Sequence, residues 1–222
     1  RGSDCYAVNF RGHWLSDGHA ELGKAITEDY VMDVEECLDE IGRPVFLIGH
    51  SMGGIVSQKV AEQNKSIMKL ILLDSAPCKA ITEEFFQPDP KVSEIIKDLF
   101  QPLPDNTFLM ARDMEKVIKV LFEKNKVSPE TISQSMMYFG RESAHVLMNH
   151  ARLSIEPDNV ICPVYVMGRT GYGAGEKKDL WHTLADYYNA EGRHISDNIS
   201  HMMFMEEDWK ENAGIIGKWC WQ

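Results

Sequence analysis

Apolar residues follow two alternating patterns along this chain, short continuous runs and longer helical repeats. Three continuous runs, at 44–48, 68–73 and 163–167, are rich in Val, Ile and Leu and are bounded by Pro, Gly or Asp. Such runs predict strands that are buried on both faces, as in a parallel sheet. A fourth run, Cys5 to Phe10, lies between Gly-Ser and Arg-Gly-His and predicts another buried strand.

Helical spacing of apolar residues separates these runs. It extends from Ala20 to Ile41, where Gly42 and Pro44 supply a stop, and a second helix is predicted from about Met52 to Gln63. Later segments predict a helix at 178–188, a short strand at 193–196 and a final helix at 206–219. Strands that alternate with helices imply right-handed crossovers and a mostly parallel sheet, so the predicted fold class is α/β.

This alternation breaks between residues 78 and 159, where helical patterning occurs without a convincing strand. One helix start is well marked by Ser128, Pro129 and Glu130, since Ser can cap a helix and Pro suits its first turn. The sequence therefore predicts three parts: core residues 1–77, a helical cap inserted at 78–159, and core residues 160–222.

The clearest chemical signal lies between the strand at 44–48 and the helix that follows it. The run Gly49-His50-Ser51-Met52-Gly53-Gly54 is a Gly-x-Ser-x-Gly turn in a strand-turn-helix context, the arrangement of a nucleophile elbow. Gly49 and Gly53 are expected to remove Cβ atoms that would collide with neighbouring backbone. The amide of Met52 would then lie at the helix N-terminus, where it could bind a developing oxyanion.

Composition restricts the partners and the compartment. The formal net charge of −11 argues against a nucleic-acid partner and an anionic membrane surface, since both favour clustered Lys and Arg. Five scattered cysteines without a Cys-x-x-Cys pair are not typical of a disulfide framework and favour the cytoplasm. No apolar run reaches the length of a membrane span, and no His or Cys spacing predicts a metal site.

Four short signatures occur in a fixed order along the chain. They are the run from Asn9 to Gly18, the elbow from Gly49 to Gly54, the strand end from Leu72 to Pro77, and Ser200-His201-Met202. With these signatures the chain resembles the α/β-hydrolase superfamily over nearly its whole length. In the family an earlier strand and loop donate the second oxyanion-hole amide. The resemblance therefore implies that the N-terminal strands are missing from this chain and that this donor lies upstream of residue 1.

The resemblance also assigns partners to Ser51. His201, in the loop after the last strand, is expected to be the base and to hydrogen-bond to Ser51. Most relatives carry the acid after the strand that here is 163–167, but that position reads Gly-Arg-Thr-Gly.

Asp74 matches a second placement of the acid, after the strand that follows the elbow helix. It is the favoured triad acid, with Glu176 and Asp179 as alternatives, and a loop-capping role for Asp74 stays open. His50 and His13 are expected to be structural.

Residues of the cap and a later loop complete the predicted site. Methionines and aromatics of the cap could line an apolar acyl pocket or pack its helices together: Met110, Met114, Met136, Met137, Tyr138, Phe139 and Met148. The Gly-rich run at 171–175 lacks phosphate-binding spacing and is interpreted as a mobile loop.

The expected function is a serine hydrolase that cleaves a carboxylic ester or related small acyl substrate through an acyl-enzyme, without metal or organic cofactor. It would be esterase-like or lipase-like, and thioesterase, lactonase and carbon-carbon bond hydrolase activities stay open. The alternative is a non-catalytic or weakly catalytic ligand-binding or signalling protein on the same fold. The sequence does not determine the oligomeric state.

Overall fold

A four-stranded parallel sheet forms the centre of the protein, seen here in a computed structural model that describes residues 3–85, 94, 97, 99–122, 126–170 and 179–222. Its strands, in spatial order, are β1 (Val45–His50), β2 (Ile67–Leu73), β6 (Val164–Arg169) and β7 (Gly192–Ser196). All three neighbouring pairs are parallel. The predicted α/β class and mostly parallel sheet are therefore confirmed.

Helices connect and cover these strands. The described α-helices are α1 (Thr27–Ile41), α2 (Ser51–Gln63), α3 (Lys79–Phe85), α4 (Met114–Leu121), α5 (Pro129–Met136), α6 (Ala144–Asn149), α7 (Leu180–Tyr187) and α8 (Trp209–Cys220). Short 3-10 turns occupy His19–Lys24, His150–Arg152, Pro157–Asn159 and Met203–Met205. Helix α1 ends as predicted at Gly42, whose φ of 62° is left-handed and whose N–H donates to the Leu38 carbonyl.

The core lies where the middle strands meet these helices. Strand β6 is buried along its whole length, and β2 is buried over its last four residues. Leu70, Leu72 and Val166 pack with residues of α1, α2 and α7 in the largest apolar cluster. Full burial of one such side chain stabilises the fold by about 1.5–3 kcal/mol. The cluster therefore holds β2 and β6 in place, and with them the carboxyl ends of these strands.

The prediction of a buried strand from Cys5 to Phe10 was wrong. The segment has no strand structure, and residues 5–9 are exposed, with Tyr6 60% accessible. A strand requires a neighbour that completes its hydrogen-bond ladder, and a local sequence pattern does not reveal whether one is present. Only Phe10 is fixed by packing, through a stacked contact with Tyr30 at 4.5 Å between ring centroids.

Residues 78–159 contain helices, as predicted, but the expectation that they lack strands was also wrong. Strands β3 (Phe100–Pro102), β4 (Thr107–Met110) and β5 (Arg141–Ser143) form a separate antiparallel sheet. Strands of three or four residues are too short to produce a recognisable alternation. The predicted helix start is confirmed at α5, where Ser128 Oγ accepts the Thr131 N–H at 3.2 Å.

The division into a core and a cap at 78–159 stays a prediction. Among the described helices, none combines the length and apolar character that a bilayer crossing requires.

Candidate active site

Ser51 lies at the sharp turn between β1 and α2. Its φ of 51° falls in the left-handed region, which residues with a Cβ rarely adopt and which often marks functional sites. The Ser51 carbonyl accepts a hydrogen bond from the Ala76 N–H at 2.9 Å. The turn is therefore held against the segment that follows β2.

Two glycines make this turn possible, but they are not the predicted pair. A Cβ on Gly49 would lie 2.5 Å from Ser57 Oγ and 2.7 Å from the Gly53 carbonyl oxygen. A Cβ on Gly54 would overlap the side chain of Ser75, whereas a Cβ on Gly53 would meet no atom within 4 Å. The predicted steric role of Gly53 was therefore wrong. The collision at Gly54 comes from Ser75 in the loop after β2, which local sequence cannot place.

Asp74 and His201 meet beside the elbow although they are 127 positions apart in sequence. Asp74 follows β2, has a φ of 41°, and its side chain is only 1% exposed. Its Oδ2 lies 2.5 Å from Nδ1 of His201, in the loop between β7 and the turn Met203–Met205. This geometry is that of an acid that orients a histidine base.

A buried arginine, which the sequence analysis did not propose as functional, also contacts this carboxylate. Arg169, at the end of β6, places Nε 3.2 Å from Asp74 Oδ2, and its main-chain N–H donates to Oδ1 at 3.3 Å. Strands β2 and β6 are neighbours, so their carboxyl ends bring the two residues together. The only sequence signal was that Arg169 lies in the Gly-Arg-Thr-Gly stretch found where most relatives carry a stretch ending in the acid.

One of the two alternative acids lies in the described part of the chain. Asp179 caps helix α7, where its carboxylate accepts the Trp181 N–H at 3.2 Å. Glu176 and the Gly-rich run at 171–175 lie outside the described residues.

His50 bridges the elbow and the His201 loop. Its Nε2 lies 2.9 Å from the His201 carbonyl oxygen, and the two imidazole rings are 4.6 Å apart between centroids. Burial, followed by the nearby positive charge that His201 can carry, lowers the pKa of His50 to about 3. His50 is therefore neutral near pH 7, which fits the expectation that it is structural.

A buried amide fastens the segment after Asp74 to the elbow helix. Gln58 is completely buried, and its Nε2 donates to Ser75 Oγ and to the Ala76 carbonyl, both at 2.8 Å. Its Oε1 accepts the Tyr188 hydroxyl at 2.9 Å. The helical pattern did not distinguish Gln58 from other polar residues, so the sequence did not predict this role.

Met52 is the remaining predicted residue of the elbow. Met52 lies in the first turn of α2, where main-chain N–H groups lack intrahelical acceptors. In the part of the chain that the structure describes, no hydrogen bond joins Ser51 Oγ to the His201 ring. Such catalytic hydrogen bonds often tighten only when substrate binds.

The cap side chains divide into two groups. Those that pack in an apolar cluster with Met202 and Met205, beside His201, are Met110, Met114, Met136 and Phe139. Those that are largely exposed are Met137, Tyr138 and Met148, at 75%, 69% and 55%. The first group therefore belongs to the same cluster as Met202, the residue that follows His201.

Comparison with known proteins assigns the chain to a family. The model of the hydrolase family described as serine aminopeptidase, S33, matches residues 1–155, and the chain belongs to this α/β-hydrolase family. Comparison with curated proteins gave no match.

Solved structures with a similar fold include three named esterases and lipases. Polyneuridine aldehyde esterase is 14% identical with a TM-score of 0.68, covering 95% of this chain and 86% of that one. A methylesterase from Arabidopsis is 13% identical with a TM-score of 0.67, covering 97% and 86%. A monoacylglycerol lipase from Paleococcus ferrophilus is 19% identical with a TM-score of 0.63, covering 94% and 79%. At these identities the likeness establishes the fold alone.

Proposed function

We propose that this protein is a serine hydrolase that cleaves a carboxylic ester or related small acyl substrate. Ser51 would be the nucleophile, His201 the general base and Asp74 the acid. The observation that carries the proposal is the 2.5 Å contact between His201 Nδ1 and Asp74 Oδ2, beside a serine in a left-handed turn. The named esterases and lipases among the similar structures favour an ester as substrate.

The reaction would proceed in two displacement steps without a metal or organic cofactor. Ser51 Oγ attacks the substrate carbonyl carbon while its proton passes to Nε2 of His201. The tetrahedral intermediate collapses as His201 returns that proton to the departing alkoxide, which leaves as an alcohol. Water then attacks the acyl-enzyme by the same proton transfers, releasing a carboxylic acid and free Ser51.

The negative charge that develops on the carbonyl oxygen requires hydrogen-bond donors. The Met52 N–H, at the first turn of α2, would supply one donor, and the positive end of the helix favours the same charge. A second donor stays a prediction, as does the cytoplasmic location.

Covalent labelling with a fluorophosphonate tests the proposal, because the probe reacts only with an activated serine. We expect the wild type to be labelled at Ser51, identified by mass spectrometry, and Ser51→Ala to be unlabelled. We expect His201→Ala to be labelled at least about 100-fold more slowly, since general-base assistance contributes about 10²–10⁴-fold. Equal labelling of wild type and His201→Ala would contradict the proposed base.

A ligand-binding protein without turnover is the second candidate. It is favoured by the sequence Gly-Arg-Thr-Gly at 168–171, which has no carboxylate where most relatives carry the acid. The same experiment separates the two candidates, because a binding protein would give no covalent adduct at Ser51.

A p-nitrophenyl ester series of increasing chain length would measure the acyl preference of an active protein. Hydrolysis of none of these esters, combined with no adduct at Ser51, would favour the binding protein.

A further inference from the structure

His50 is linked to both members of the proposed catalytic pair, Ser51 and His201. Its main chain is joined directly to Ser51, and its side chain contacts the main-chain carbonyl of His201 at 2.9 Å. We infer that His50 is a positioning residue that fixes the separation between Ser51 and His201 by tethering the His201 loop to the elbow. This inference rests on the proposed function, since it concerns the residues that would act there.

The chemistry of the contact determines which nitrogen of His50 carries the proton. A carbonyl oxygen can only accept a hydrogen bond, so Nε2 must be the donor. With its pKa lowered to about 3 by burial and by the charge that His201 can carry, His50 holds one proton at neutral pH. That proton must be on Nε2, which leaves Nδ1 unprotonated.

The tether acts at a different point from the carboxylate. Asp74 holds the His201 ring at Nδ1, whereas His50 holds the main chain of the same residue. Two anchors on one residue restrict both its position and its side-chain rotation. Without the His50 donor, Asp74 would still bind the ring, but the backbone that carries the ring could shift.

Other contacts of the loop do not replace this tether. The Ser200 N–H donates to Glu206 within the same loop, at 2.8 Å, so this bond does not connect the loop to the elbow. The Met202 N–H donates to the Leu121 carbonyl at the end of α4, at 3.2 Å. That anchor belongs to the predicted cap, and Ile199 and Met203 pack in a cluster with Ile71 and Leu73 of β2. These contacts hold the loop against α4 and β2, whereas His50, the residue before Ser51, ties it to the elbow.

Nitrogen-15 NMR of the wild-type protein tests the protonation state without any catalytic assay. We expect the His50 ring to be neutral, protonated on Nε2, and unchanged between pH 5 and pH 8. A proton on Nδ1, or titration of His50 within that range, would overturn the inference. The measurement is independent of whether the protein hydrolyses anything.

Two substitutions test the tether in turnover. His50→Phe keeps a ring that can pack against Phe204, the edge-on neighbour at 4.9 Å, but it removes the donor. We expect a fall in kcat of about 10- to 100-fold with KM changed by less than about 3-fold, since a shift of about 1 Å can cost about 10²-fold. His50→Gln, whose amide N–H can reach the same carbonyl, should recover most of the loss. Wild-type kcat in His50→Phe, or a Gln variant no better than Phe, would overturn the tether.

His150 provides a matched control. It is a second histidine with a pKa lowered by burial, and its Nδ1 lies 3.1 Å from a main-chain carbonyl, that of Val146. His150→Phe should leave kcat near the wild-type value even where it lowers thermal stability. A kcat loss equal to that of His50→Phe would assign the effect to general destabilisation and contradict the tether.

Hydrogen exchange separates failure of the tether from failure of the proposed function. Amides of residues 200–203 should exchange faster in His50→Phe than in the wild type, with or without substrate. Unchanged exchange would overturn the tether. Absence of fluorophosphonate labelling in the wild type would contradict the proposed function alone. If His50→Phe does not fold, two other measurements test the tether. Amides of residues 200–203 should stay protected from exchange in His50→Gln, and NMR of the wild type should show His50 protonated on Nε2.

Discussion

Arg169 Nε lies 3.2 Å from Asp74 Oδ2, the oxygen that also contacts His201 Nδ1 at 2.5 Å. One carboxylate oxygen is therefore shared by a buried guanidinium and by the proposed base. The Asp74 and Arg169 side chains are 1% and 9% exposed, so water contributes little to their charge compensation. The proposed acid and its counterion come from the ends of adjacent strands.

Removal of Arg169 is expected to destabilise the fold. Arg169→Met would leave Asp74 without its cationic partner in a buried site, a loss of about 3–5 kcal/mol in the free energy of unfolding. Urea unfolding monitored by tryptophan fluorescence measures the change. Arg193→Met is the control, because Arg193 pairs with Asp186 at the surface and such pairs contribute about 0–1 kcal/mol. Equal losses in the two variants would contradict the importance of the buried pair.

The choice of triad acid can be tested by three isosteric substitutions. Asp74→Asn should lower kcat by up to about 10⁴-fold, because an amide no longer holds the histidine in the required tautomer. Asp179→Asn should retain near-normal turnover and stability, since Asn caps a helix about as well as Asp. Glu176→Gln should also retain turnover. Near-normal ester hydrolysis by Asp74→Asn would refute the assignment.

The glycines of the elbow are expected to respond in opposite directions to alanine. Gly54→Ala would force a Cβ into Ser75 and should destabilise the protein by about 1–3 kcal/mol. Gly53→Ala places its Cβ in open space within helix α2 and should stabilise it by up to about 1 kcal/mol. Thermal unfolding of the two variants checks this, and a lower Tm for Gly53→Ala would contradict it.

A half-buried contact between His13 of the N-terminal loop and Glu142 of β5 should make stability depend on pH. Glu142 accepts the Tyr30 hydroxyl at 2.5 Å and lies 3.4 Å from His13 Nε2. Burial alone would lower the pKa of His13, but the hydrogen bond and charge of Glu142 outweigh it, so the pKa of His13 is raised.

Because the pKa of His13 is raised in the folded state, the stabilisation from the charged contact between His13 and Glu142 is fully present below about pH 6.5, the ordinary pKa of His. It is lost as the pH rises through the higher folded-state value. The free energy of unfolding of wild type minus that of Glu142→Gln should therefore fall as the pH increases from 6 to 9. A difference that stays constant over this range would show that His13 does not contribute through its charge.

Parts of this protein follow from local sequence because they depend on neighbours in the chain. The end of α1 at Gly42, the start of α5 at Ser128 and the strand-turn-helix around Ser51 were predicted correctly. Helix caps and tight turns are stabilised by hydrogen bonds and dihedral preferences within a few residues. The strands of the central sheet were also identified from their continuous apolar runs. Burial on both faces was wrong for β1, where Ile48 is 55% exposed.

Other parts depended on contacts between distant segments. Cys5 to Phe10 has the composition of a strand but forms none, and the short strands β3–β5 carry no visible alternation. In both cases hydrogen bonding to another segment decides the structure. Gly54, Gln58 and Arg169 likewise acquire their roles from the loop after β2 and from its carboxylate.

The candidate site also combines features set by local sequence with features set by contacts between distant segments. Sequence by itself determined the family resemblance, the turn that carries Ser51, and a choice of three carboxylates for the acid. Only the tertiary structure brought Asp74 to His201, added Arg169 to the same carboxylate and placed His50 between the elbow and the His201 loop. The reason is that a nucleophile elbow is a local backbone conformation. The orientation of the base instead depends on side chains from the ends of separate strands. Only packing of the sheet brings these side chains within hydrogen-bond distance.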